Sequence, residues 1–253
     1  MRLSVCIPMF FGKVPLPEAV KKVAQFGFDA CEMWMVPDNA DLEATAAACE
    51  KYGVEFLAIC TDYFNCTGGD TEAYVEGVRT AAAKAKALGA KLLISQVGND
   101  TGAPRAEQHN NIVSCLKAAI PVLEQTGMTI VIEPLNTLVD HKGYFLSSSA
   151  EGFEIVRKVN HPQVKLLFDI YHQQVTEGNV ISNITQNLSL IGHLHSAGCP
   201  GRNELSRGEI NYNAVFDAVD NAGYKGACAL EYKPLVDVNE SLELTKKLYK
   251  KDV

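Results

Sequence analysis

Four short apolar runs in the second half of the chain each close on a residue that can hold a cation or move a proton. Thr129-Ile-Val-Ile-Glu133 and Ala227-Cys-Ala-Leu-Glu231 end in glutamates, Lys165-Leu-Leu-Phe-Asp169 in an aspartate and Ile191-Gly-His-Leu-His195 in a histidine. In each, the functional residue stands four positions after the run begins. If the runs are strands of one barrel, side-chain alternation gives these equivalent positions the same orientation, and the four groups converge near one mouth. Three carboxylates and an imidazole gathered there repel one another when ionised, and a shared divalent cation removes the conflict. Oxygen-rich ligands with one nitrogen suit Mn²⁺ or Mg²⁺, with Co²⁺ and Zn²⁺ also compatible. A single strand-end acid reads as a helix cap or a surface charge; four at matching positions point to a metal site formed by Glu133, Asp169, His195 and Glu231.

Other residues surround this set. His172, three residues beyond Asp169, can donate to a substrate oxygen or orient a ligand. Arg202 lies on a Pro-Gly loop after the third of these runs, where its planar fork suits a carboxylate or polar hydroxyls. Glu204 follows two residues later and is assigned with Arg202 to the substrate, although a loop salt bridge would also account for the pair. Trp34 ends an earlier run beside Glu32, as a hydrophobic wall for a sugar or as packed core. His193 shares a face with His195 one pleat deeper and reads as core or support. His109 and His161 read as helix or loop surface. A cation held by the four ligands can bind a hydroxyl and an adjacent carbonyl, acidify the carbon-bound proton and stabilise an enediolate. Glu133 and Glu231 then remove and return the proton from two sides, the acid and base roles exchanging with direction. That is aldose–ketose isomerisation or epimerisation beside a carbonyl, and neither needs an organic cofactor.

These groups need a scaffold, and the chain supplies its pattern. Eight runs read as strands: Leu3–Ile7, Asp29–Trp34, Val54–Cys60, Lys91–Gln96, Thr129–Glu133, Lys165–Asp169, Ile191–His195 and Ala227–Glu231. Helical segments lie between them, for example Ala106 to Glu124, with Ile112, Leu116, Ala119, Ile120 and Leu123 at helical spacing. Ser148-Ser-Ala-Glu151 has the form of a capping box. Gly27, Gly53, Gly89, Gly127 and Gly223 stand where helices should stop before a strand. Eight βα units in 253 residues predict an α/β fold, a (β/α)8 TIM barrel occupying residues 1–253 as a single domain. A doubly wound sheet fits less well, because no G-x-G-x-x-G follows the first strand.

Composition narrows the class. Apolar residues are 47% and charged residues 21%, enough for a large core and unlike a disordered chain. A net charge of −7 disfavours a nucleic-acid partner and leaves a small sugar or hydroxy-keto acid as the expected substrate. The eight cysteines contain no C-x-x-C pair and read as small buried hydrophobes of a reducing, cytoplasmic protein. No signal peptide or run of membrane-spanning length is visible, so no membrane partner is expected. Many barrels pair through helices or loops, and a homo-oligomer fits the scaffold.

At these residues the chain resembles the hydroxypyruvate isomerase family of the xylose-isomerase-like TIM barrels, over nearly its whole length. The likeness is carried by Gly27-Phe-Asp-Ala-Cys-Glu32-Met-Trp34, Ile132-Glu133-Pro-Leu-Asn136-Thr, Phe168-Asp169-Ile-Tyr-His172, Pro200-Gly-Arg202-Asn-Glu204 and Gly208-Glu209-Ile-Asn-Tyr212. The resemblance implies a metal set at Glu133, Asp169, His195 and Glu231, with Glu133 and Glu231 catalytic and His172 and Arg202 at the substrate. It implies conversion of hydroxypyruvate to tartronate semialdehyde. The chain departs from the pattern at His195, where hydroxypyruvate isomerases often carry glutamine and the related ketose 3-epimerases carry histidine. Those epimerases usually follow the strand-five glutamate with Asn-Arg and a further glutamate; here Asn136 precedes Thr137, and the later position falls near Val139-Asp140. Ketose 3-epimerisation (tagatose, psicose or ribulose type) is therefore the alternative, with an endonuclease IV-like enzyme or a non-enzymatic binding barrel more remote.

Overall fold

The computed structural model describes residues 1–62 and 65–249. In chain order the elements are β1 (Arg2–Cys6), α1 (Ile7–Phe11), α2 (Leu16–Gln25), β2 (Ala30–Met33), α3 (Leu42–Tyr52), β3 (Glu55–Cys60), α4 (Thr71–Leu88), β4 (Leu92–Ser95), α5 (Arg105–Thr126), β5 (Thr129–Ile132), α6 (Ser149–Val159), β6 (Val164–Asp169), α7 (Ile170–Thr176), α8 (Val180–Gln186), β7 (Ile191–Ser196), α9 (Tyr212–Asn221), β8 (Ala227–Leu230) and α10 (Val238–Tyr249). The strands close into one barrel in the order β1 to β8, and every pairing between neighbours is parallel. This is the expected (β/α)8 fold, with all eight predicted runs forming strands. Their ends differ by no more than one residue, the ordinary uncertainty of a strand boundary.

Apolar residues divide between two layers. A small cluster of Ala30, Leu57, Ala58, Ile94, Val131, Leu167 and Ala227 forms one core, and a much larger one packs strands against helices. Register then sets the mouth. Asp169 pairs laterally with His195, and His195 with Ala229, two residues before Glu231.

Local signals behave largely as their chemistry requires. The five glycines expected to stop helices all have positive φ. Gly89 shows why: at φ 77° its N–H returns to the Ala85 and Lys86 carbonyls of α4, a conformation that a Cβ penalises. Ser148 caps α6 by accepting from the Ala150 N–H. The predicted capping box is not completed, because Glu151 turns to Arg105 and His109 on α5 instead. A charged partner outcompetes a backbone N–H for a carboxylate. His109 is consequently buried, correcting its assignment to the surface. No helix among the described residues is long and apolar enough to cross a membrane.

Gly152 lets α6 lie close to β6 and to Pro134, the residue that follows Glu133. A Cβ there would stand 2.5 Å from Leu166 Cδ1 and 3.1 Å from Pro134 Cγ. Helix propensity alone would make Gly152→Ala stabilising by about 1 kcal/mol. Overpacking against fully buried Leu166 outweighs that gain, and urea unfolding should show a net loss of about 1 kcal/mol. A stabilised variant would contradict this packing account.

Candidate active site

Each of the four strand-end residues is buried, at 5%, 0%, 1% and 5% exposure for Glu133, Asp169, His195 and Glu231. One ligand atom from each lies within 4.8 Å of all the others. The sequence reading therefore named a set that the barrel does bring together. His195 Nδ1 faces Glu231 Oε2 at 3.2 Å and Glu133 Oε1 at 3.6 Å. Asp169 divides its work. Its Oδ1 caps α7, accepting from the Tyr171 and His172 N–H groups at 2.7 and 3.1 Å, while its Oδ2 has no hydrogen-bond partner among the described residues. Oδ1 thus caps the helix, and Oδ2 is left uncommitted beside the other three residues.

Electrostatics follow from crowding. Burial pushes the Asp169 carboxyl above its ordinary range. Burial acts on Glu231 in the same sense, but the His195 imidazole and the Arg202 guanidinium overcome it and hold that carboxyl far below. Burial opposes a charge on His195 too, yet Glu32 and Glu231 raise the imidazole well above its usual value. Three carboxyl groups set against one guanidinium and one imidazole make an acidic mouth that suits a divalent cation. The donor chemistry, the convergence and the unpartnered Asp169 Oδ2 all fit such an ion.

Arg202 reaches the set from the β7–α9 loop. Its Nη2 lies 2.5 Å from Glu231 Oε2 and 3.9 Å from Asp169 Oδ2, its guanidinium stands over the Tyr171 ring, and its buried Nε has no partner among the described residues. Its backbone is left-handed at φ 56°. The loop is compact around it: a Cβ on Gly208, at φ 94°, would stand 2.1 Å from the Cys199 carbonyl oxygen.

Glu204 is placed elsewhere. Its side chain does not line the cavity; Oε1 accepts from the Leu235 and Val236 N–H groups and from Ser241, so the residue ties the Arg202 loop to the segment after β8. Trp34 is 38% exposed, which makes it a rim residue instead of core, and its indole N–H donates to Glu231 Oε1 at 2.6 Å.

His172 depends on a residue that spacing did not single out. Asn136 directs both its backbone N–H, at 3.4 Å, and its side-chain amide, at 2.6 Å, at His172 Nδ1. Two donors facing Nδ1 require it to be an acceptor, so the neutral ring carries its proton on Nε2. Burial lowers the His172 pKa to about 4, which keeps the ring neutral at neutral pH. Nε2 is buried and unpartnered among the described residues, and His172 lines the cavity. Asn136 also donates to Asp140 Oδ2 and accepts from the Val139 and Asp140 N–H groups; Asp140 takes a further bond from the Tyr171 hydroxyl. The sequence signal for this knot was an Asn four residues before an Asp in the loop after β5, recognisable only once His172 is known to be adjacent.

The cavity above the set has a volume of about 430 Å³. Its lining combines Glu133, His172, His195, Arg202 and Glu231 with apolar Trp34, Met35, Cys60, Ile94 and Leu135 and with polar Thr61, Gln96 and His141. Glu32 and His193 lie beneath, fully buried, with His193 Nε2 2.7 Å from Glu32 Oε2. His193 thus supports the site, as its pleat position suggested.

Asn136→Ala should cost about 1–2 kcal/mol in urea unfolding, because it removes the amide bonds to buried His172 Nδ1 and to the exposed Val139–Asp140 turn, while the backbone N–H to Nδ1 survives. A loss below about 0.5 kcal/mol, as for an ordinary surface change, would contradict the knot's role.

Comparison with known proteins identifies the barrel's family. Residues 20–248 match the family model described as xylose isomerase-like TIM barrel. The hydroxypyruvate isomerase of Escherichia coli is 31% identical over 244 residues, covering 92% of this chain and 94% of that protein. The 2-oxo-tetronate isomerase of Cupriavidus necator is 28% identical over 256 residues, covering 95% and 96%. Among solved structures, an AP endonuclease, family 2, from Brucella melitensis superposes with a TM-score of 0.90 at 25% identity, over 97% of this chain and 98% of that one. D-psicose 3-epimerase from Clostridium cellulolyticum shares the fold, with a TM-score of 0.80 at 17% identity over 98% and 99%.

Proposed function

The chain belongs to the xylose isomerase-like TIM barrel family, and from that premise we propose that it is a divalent-cation-dependent isomerase of a short hydroxy-keto acid. Hydroxypyruvate to tartronate semialdehyde is the reaction we assign. The observation that carries the reading is one cavity lined by two kinds of group. Paired glutamates stand beside a set of cation ligands, and two further residues lining the same cavity, Arg202 and His172, each carry a buried nitrogen, Nε and Nε2, without a hydrogen-bond partner among the described residues. Relatives named as hydroxypyruvate isomerase and 2-oxo-tetronate isomerase support the same class.

Glu133, Asp169, His195 and Glu231 would hold the cation. Bound there, Mn²⁺ or Mg²⁺ supplies Lewis-acid polarisation of the substrate carbonyl. The chain's own groups do the rest. Arg202 takes the substrate carboxylate, fixing which end of a three-carbon acid enters first. One of Glu133 and Glu231 removes a proton from the hydroxymethyl carbon, and the electron pair left behind forms the double bond of an enediolate. The other returns a proton to the former carbonyl carbon, while the hydroxyl proton passes between the two oxygens. The net change is an aldehyde and a new secondary alcohol, with no redox partner. His172, neutral and carrying its proton on Nε2, donates to whichever oxygen is negative. Trp34 holds Glu231 from the rim. Glu204, outside the cavity, positions the Arg202 loop.

Ketose 3-epimerisation is the second reading, favoured by histidine in place of glutamine at position 195. A nuclease is disfavoured by the acidic mouth and the −7 net charge.

Chelator-treated protein should be inactive on a panel of hydroxypyruvate and four- to six-carbon ketoses, and added Mn²⁺ or Mg²⁺ should restore turnover of hydroxypyruvate above all others. Arg202→Ala should lower kcat/KM for hydroxypyruvate roughly a thousandfold, and for any neutral ketose by less than about tenfold. Equal losses for acid and sugar, or a preference for a hexulose in the unmodified protein, would sink the acid assignment.

A further inference from the structure

Glu32 lies on β2, across the barrel from β7, and is fully buried. It does not line the cavity, so it meets no substrate. Its two oxygens are divided between two imidazoles: Oε2 stands 2.7 Å from His193 Nε2, and Oε1 stands 2.9 Å from His195 Nε2. The first contact is a hydrogen bond. The second is a contact at ion-pair distance, and neither Glu32 Oε1 nor His195 Nε2 has a hydrogen-bond partner among the described residues. His195 is therefore gripped from behind at Nε2 while its Nδ1 faces Glu133 and Glu231.

We propose that Glu32 is the positioning residue of the cation site: it keeps the His195 proton on Nε2, so that the Nδ1 lone pair points into the mouth. The inference rests on the cation reading above. A carboxylate behind a ligating imidazole fixes its tautomer and orientation and raises its basicity. The arrangement joins β2, which contributes nothing to the ligand set, to the strand that supplies the nitrogen ligand. His193 completes it by occupying the carboxylate's other oxygen, which prevents Glu32 from swinging away from His195.

Glu32, His193 and His195 could also converge on an ion of their own. That use is incompatible with the first. A cation there would need the Nε2 lone pair of His195, forcing the proton onto Nδ1 and turning an N–H donor toward the mouth. One cation per chain, held above Glu32, is the consequence.

Two measurements test this on the full chain. Mn²⁺ titration followed by electron paramagnetic resonance should give one site per chain, weakened about 10- to 100-fold by Glu32→Gln. Nitrogen-15 spectra of histidine-labelled, Mg²⁺-loaded wild-type protein should show His195, assigned by its loss in His195→Gln, with the proton on Nε2 and a bare Nδ1. The second measurement does not depend on the Glu32 variant folding, and a merely space-filling Glu32 would not dictate the tautomer. A proton on Nδ1, an unchanged Mn²⁺ affinity in Glu32→Gln, or two wild-type sites of which the variant loses one would each overturn the proposal. Wild-type protein that binds no Mn²⁺ would overturn the cation reading itself and this inference with it.

Discussion

Like charges forced together out of water are the constraint around which this molecule is organised. Glu133, Asp169 and Glu231 are buried at one mouth of the barrel, and Glu32 is buried beneath them. Removing one carboxylate from water costs several kcal/mol even after relaxation, and placing others beside it adds repulsion. The fold answers with groups that each serve twice. Asp169 gives one oxygen to a helix cap and keeps the other for the site. His195 faces Glu32 on one edge and Glu133 and Glu231 on the other. Arg202 answers Glu231 while retaining an uncommitted Nε. What remains is a net negative charge that suits a divalent cation.

Positions and adjustments are divided between strands and loops. Strands hold the charged set, because a closed barrel fixes their ends relative to one another through paired register. The β7–α9 loop and the short helix α7 hold Arg202 and His172, the groups expected to meet substrate. Asn136 pins His172 and orders the β5–α6 loop in one knot, while Glu204 ties the Arg202 loop to the segment after β8. A site assembled this way can change substrate through its loops and wall while conserving proton transfer, as expected of barrels.

Much of this was legible in the sequence, for a physical reason. Strand alternation is local, so four equivalent strand-end residues could be placed at one mouth without knowing the fold in detail. Glycine stops were legible because positive φ is a property of one residue. What could not be read depends on contacts between segments far apart in the chain. Glu204 looked like a companion of Arg202, but its carboxylate is claimed by two N–H groups about thirty residues on. Glu151 completed a capping motif by spacing, yet Arg105 and His109, on another helix, took its charge. Glu32 sat in a quoted motif beside Trp34, and its role emerged only when β7 was found facing it. Asn136 was invisible as a hub because its partner His172 lies 36 residues away.

Transfer of a proton to and from carbon by the paired glutamates is the central claim, and solvent exchange reads it most directly. Metal-depleted protein supplied with Mg²⁺ and hydroxypyruvate in D₂O should introduce deuterium at the carbon beside the carbonyl, seen by proton NMR. The exchange should stop when Mg²⁺ is withheld and in both Glu133→Gln and Glu231→Gln. Conversion that proceeds with no solvent deuterium in the product and persists in both variants would contradict the account.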